Sequence, residues 1–191
     1  MKCKCGAAVT RGTAAATVVQ SDPPETSMWV TLPTGQCIPA RWNDESGCGL
    51  NAFSMLAYLN EYQRRQMVVH ALASPLTGKS CNMDLGVLTQ FLKSQNLIRN
   101  SRHLTPKVLA KHSLSIVKNL ATMRAVVEKL SFEFTPFQGK ALVVDVEQQQ
   151  HILGIDLEQG LVHDPSDGTT REFSARDQQR MFAFVAFIQM M

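Results

Sequence analysis

The chain has 191 residues, a formal net charge of +3, 45% hydrophobic residues and 18% charged residues. This length predicts one domain around one sizeable core, and the composition excludes an intrinsically disordered chain. Lys and Arg form no run longer than Arg64-Arg65, which gives no basis for a nucleic-acid surface, and no apolar stretch approaches the roughly 18 residues of a membrane span.

Residues 1–26, rich in Ala and Thr with a Pro-Pro pair, read as a loosely ordered N-terminal arm ahead of a single domain over 27–191. Their apolar runs are short and broken, so no secretory signal peptide is expected. The matching localisation is cytoplasmic, or secreted into a host cell by a route that needs no signal peptide. The five cysteines are Cys3, Cys5, Cys37, Cys48 and Cys81. An odd count without a signal peptide reads as reduced thiols. The Cys3-Lys4-Cys5 pair lacks the second ligand pair of a zinc module, so neither metal nor cofactor is expected.

Residues 28–32 predict a strand, 33–35 a turn and 37–40 a short edge strand, because Pro39 cannot donate to a central ladder. A polar loop over 43–47 leads into a helix whose Leu50, Phe53, Leu56, Ala57 and Leu59 recur at helical spacing. A second helix is expected over 62–72, ended by residues 74–78, and a third capped by Asn82 with Leu85, Leu88, Phe91 and Leu92 inward. His103 reads as part of a solvated basic loop with Arg99 and Arg102. Thr105-Pro106 opens a short helix, and residues 119–130 form another. Strands are then expected over 141–146, 151–156 and 161–164, with a tight turn at 158–160, a second turn at 164–168 and a last strand over 181–188. Helices first and strands after imply an α+β fold with an antiparallel sheet packed on a helical half.

Three residues in this layout have the chemistry of a thiol enzyme. Cys48, between Gly47 and Gly49, sits where loop meets helix. Unpaired N–H groups and the macrodipole there favour a thiolate, and the Cys48 N–H is placed to bind an oxyanion. The alternative is a small buried thiol at a helix start. His151 begins a strand, and Asp164 follows 13 residues later across a hairpin. With Glu158-Gln159 as the turn, Asp164 faces Leu153 and becomes the diagonal neighbour of His151; a slip of one residue would separate the two. His163, on the opposite face from Asp164, is the rival base. Asn43, five residues before Cys48, has the chemistry of a side-chain oxyanion donor and equally that of a turn residue.

The segment 48–57, Cys-Gly-Leu-Asn-Ala-Phe-Ser-Met-Leu-Ala, resembles the nucleophile helix of double-glycine leader peptidases, and residues 151–155 and 162–165 resemble their His strand and Asp-Pro segment. The layout is also similar to Josephin deubiquitinases and to papain-like glutamine deamidases injected by bacterial pathogens. The resemblance covers about 10 residues around Cys48 and about 15 around His151. It implies a papain-like fold, with the nucleophile helix packed on the sheet, and a Cys48–His151–Asp164 relay with a side-chain donor in the oxyanion hole; the leader peptidases usually carry Gln there, and Asn43 is the candidate in this chain. Three functions fit: a cysteine peptidase or isopeptidase, a protein-glutamine deamidase of the secreted-effector type, and an inactive binding module with a structural Cys48. The partner in each case is a protein, ubiquitin-like or from a host, and neither nucleic acid nor a membrane.

Overall fold

The structure, a computed structural model, describes residues 28–31, 37–40, 47–110, 119–147 and 151–191. The first element is a two-stranded antiparallel ribbon of β1 (Met28–Thr31) and β2 (Cys37–Ala40). The expected N-terminal arm lies outside the described residues.

Helix α1 (Cys48–Leu56) is buried at every position but Met55, as suits a helix hydrophobic on all sides. Asn60 caps α2 (Glu61–Ala73) in a box with Gln63, so this helix runs slightly longer than its apolar pattern. Gly78, at φ +65°, closes the turn after it, in a conformation costly for any residue with a Cβ. The cap of α3 (Leu85–Ser94) is Asp84, not Asn82: its carboxylate accepts the Val87 N–H at 2.8 Å. Both residues suit a cap, and the one directly preceding the apolar face takes it. Strand β3 (Ile98–His103) replaces the expected basic loop, α4 spans Pro106–Ala110, and α5 spans Leu120–Lys129, within the expected 119–130, with Asn119 as its cap. A short α6 (Ser131–Phe134) leads into β4 (Lys140–Asp145), β5 (Ile152–Asp156), β6 (Leu161–Asp164) and β7 (Thr169–Glu172). Helix α7 (Ala175–Gln179) and β8 (Phe182–Met190) complete the order.

The fold is mixed α+β. Six strands form an open antiparallel sheet in the order β3-β8-β4-β5-β6-β7. Pleating divides the core in two. Leu142, Val144, Ile152, Ala186 and Ile188 face α1, α2 and α3, while Ala141, Val143, Leu153, Ile155 and Phe187 face α5 and α6. Because both faces are covered, β4 and β5 are buried at nearly every position and read as continuous apolar runs. Each fully buried aliphatic side chain stabilises this core by about 1.5–3 kcal/mol. No helix among the described residues is long and apolar enough to cross a membrane.

Two close approaches position α1. A Cβ added at Gly154 would meet the Ala52 carbonyl oxygen at 3.0 Å and the Leu56 Cβ at 3.1 Å; one added at Gly49 would meet Leu88 at 2.8 Å and Ile152 at 3.2 Å. The helix therefore lies directly on β5, running in the same sense as the strand, held close by a missing side chain on each element.

Candidate active site

Cys48 is the first residue of α1, after Gly47, which offers no side-chain cap. It is 4% exposed and borders the core on the α1 side of the sheet. Gly49 rests on Ile152, and the helix and strand run in the same sense. One residue further out on each, Cys48 and His151 stand at the same end of the molecule.

His151 extends the β4–β5 ladder, its carbonyl accepting the Asp145 N–H at 2.8 Å. By alternation its side chain falls on the side of Leu153 and Asp145, not that of Ile152. The β5–β6 register pairs Gly154 with His163, so the next pair outward is Leu153 opposite Asp164. This is the register expected from a turn at Glu158-Gln159. His151 Nε2 and Asp164 Oδ1 are 2.9 Å apart, with both residues buried.

Burial alone would raise the Asp164 pKa. The hydrogen bond from His151 opposes it, as do the Ser166 hydroxyl at 2.6 Å and the Ser166 N–H at 3.0 Å, and together they hold the carboxyl well below the usual carboxylate range. An ionised Asp164 only accepts, so the proton on their shared bond belongs to His151 Nε2 and leaves Nδ1 as the basic nitrogen of the ring.

Arg180, which sequence reasoning passed over, anchors the carboxylates behind His151. It is 5% exposed, with Nε 2.9 Å from Asp145 Oδ2 and Nη1 3.8 Å from Asp164 Oδ2 and 3.7 Å from Asp177 Oδ1. Burial raises the Asp145 pKa, and Arg180 is the largest opposing influence. Arg171 pairs with Asp177, whose carboxyl is pushed up by burial but drawn down to about 2 by that guanidinium and by Ser174. The signal in the sequence was the Ser174–Asp177 spacing of a capping box. Three carboxylates thus meet two guanidiniums, and a protonated His151 would balance the set.

The remaining candidates fall elsewhere. Asn43 lies outside the described residues, as do Cys3, Cys5 and the side chain of Cys37; Cys81 is buried in the core. His103 is not in a solvated loop: it lies on β3, its Nε2 3.0 Å from the Thr89 hydroxyl, with its pKa lowered by burial and by Lys93. His163 is on the α1 side, opposite to Asp164 as alternation requires. Its Nδ1 is 2.8 Å from Thr170 Oγ1, and Tyr58 packs edge-on against its ring. No group of three or more His, Cys, Asp or Glu among the described residues is placed to hold a metal ion. A cavity of about 580 Å³, lined by Arg124, Glu128, Phe134, Gln138 and Leu157, opens at the opposite end of β5 from His151.

Burial holds the His163 pKa down at about 4, with Asp156 raising it and Lys140 lowering it. As pH falls from about 6.5 towards 4, the unfolded chain takes up a proton that the folded chain refuses, so stability drops with acidity across that window. The loss is on the order of 3 kcal/mol by the lower end. Urea unfolding at pH 7 and pH 4.5 checks this: His163→Gln should lose less stability between the two than the parent, and an equal loss would mean that His163 titrates normally.

Comparison with family models, with curated proteins and with solved structures returns no match, so the reading of this site rests on its residues and their geometry.

Proposed function

We propose that the chain is a papain-like thiol hydrolase that attacks an amide bond of a protein substrate, acting as a peptidase or isopeptidase. The observation that carries this reading is the buried His151–Asp164 hydrogen bond at the end of the sheet where α1 begins with Cys48. A structural cysteine has no need of an oriented imidazole nearby, and an ordinary surface histidine has no need of a buried carboxylate.

In the proposed mechanism His151 Nδ1 takes the Cys48 proton. The helix terminus and the net negative surroundings of His151 favour the resulting thiolate–imidazolium pair. The sulfur adds to the amide carbon, and the Cys48 N–H and the Asn43 side chain hold the oxyanion. The C–N bond then breaks as His151 protonates the leaving amine, leaving a thioester. Water, deprotonated by His151, cleaves the thioester to the acid and restores the thiol. Asp164 keeps the Nε2 proton in place throughout.

The test is intact-mass analysis of proteins incubated with the parent enzyme and with Cys48→Ala. Fragments that appear with the parent and are absent with Cys48→Ala support the peptidase reading. A gain of about one dalton per site assigns the same machinery to glutamine deamidation. No Cys48-dependent change assigns the chain to the binding modules.

A further inference from the structure

The sheet carries an exposed apolar patch on the α1 side of the proposed nucleophile. In the strand register Phe184 pairs with Val144, and Val144 with Ile152, the residue beneath Gly49. Val144 and Ile152 both face α1, and directly paired residues share a side, so Phe184 points to that side as well. It is nonetheless 55% exposed, although Val185, Ala186, Phe187 and Ile188 beyond it are buried. Two other exposed apolar residues adjoin it. Val146 is 53% exposed and Met181 37% exposed, and the Val146 N–H bonds the Met181 carbonyl at 3.0 Å. Together they extend the apolar surface past the ends of β4 and β8. Of the charged residues next to the patch in sequence, Asp145 and Arg180 are buried and paired with each other, and Glu147 lies beside Val146.

Two strand spacings separate Phe184 from Ile152, about 10 Å. Three residues of extended chain cover that distance. We infer that Phe184, with Val146 and Met181, forms a specificity subsite that takes an uncharged apolar side chain of the substrate, within three residues of the amide that Cys48 attacks. The inference rests on the proposed thiol hydrolase reading and names its substrate class: protein segments with a large apolar residue beside the reacting bond. A charged residue would lose solvation against these apolar side chains, so the patch selects against charge as well as for bulk.

The test is to digest a denatured protein extract with the enzyme and to identify, by peptide mass spectrometry, every amide whose reaction requires Cys48. The expected result is about tenfold enrichment of Phe, Leu, Met or Ile over charged residues within three positions of the reacting bond. Phe184→Ser should remove most of that enrichment, and Phe184→Leu should keep it. Both substitutions are at a half-exposed site, and unchanged thermal unfolding would confirm that both variants fold. Products with no apolar preference, or an undiminished preference in Phe184→Ser, would overturn the subsite and leave the hydrolase standing. An absence of any Cys48-dependent product would overturn both.

Discussion

Arg180→Met should destabilise the fold by about 3–5 kcal/mol, the cost of leaving buried carboxylates without their cation. Arg180 is the common partner of Asp145, Asp164 and Asp177, and Asp145 is fully buried, with Arg180 the largest influence opposing the cost of that burial. Methionine fills a similar volume, so the effect isolates charge from packing. Urea titration should show the midpoint falling with little change in slope. Adding Asp145→Asn to Arg180→Met should recover part of the loss, because the double variant no longer buries that unpaired charge; a strictly additive loss would mean that the two do not interact. Arg171→Met should cost less, because Arg171 is 38% exposed and water can replace it.

The second large effect is on chemistry. Asp164→Ala should reduce Cys48-dependent turnover by roughly 10²–10⁴-fold, through loss of the group that fixes the His151 tautomer. Asp164→Asn should retain more activity, since its amide oxygen still accepts the Nε2 proton at the same place while the negative charge is gone. The labelling of Cys48 by iodoacetamide at neutral pH should fall in the same order, parent above Asn above Ala. Turnover in Asp164→Ala within threefold of the parent would remove Asp164 from the relay. Acid should act on this residue too. Its depressed pKa means the pair stabilises the fold above the ordinary carboxylate range and loses that contribution as pH falls below about 4, a window distinct from that of His163.

The parts of the fold legible in the sequence are those where periodicity and turn chemistry agree. Apolar spacing marks α1, Asn119 marks the start of α5, and a short turn between two apolar runs marks the β5–β6 hairpin. That hairpin also carried the site, because its register alone decides whether Asp164 reaches His151. The expectation of an antiparallel sheet with helices is met at the level of α+β, with helices on both faces. Strand β3 was hidden because Arg99, Asn100, Ser101 and Arg102 look like a loop, and only Ile98 among its six residues is buried. Strand β7 is short and mostly exposed, and α7 has only five residues, too few for a periodic signal. The buried ion network was illegible for a different reason. Arginine is read as a surface residue, and neither Arg180 nor the fully enclosed Arg64, bonded to Glu61 at 2.8 and 3.0 Å, has a local pattern that announces burial. What buries them is set by the tertiary fold: Arg180 meets Asp145 from 35 positions earlier, and Arg64 donates to Asn51 of α1.

The placement of β8 bears on how the molecule assembles. It lies between β3 and β4, and no described strand joins those two directly. Until residues 182–190 leave the ribosome, β3 has no neighbour to pair with and β4 shows an unsatisfied edge, even with the β4–β7 meander already zipped. The proposed nucleophile and its base can thus be synthesised well before the sheet that holds them is continuous, and an active thiol would appear late, when the interior strand slots in. Such long-range pairing slows folding, and it makes the half-made chain, with its open edge, the state most exposed to aggregation.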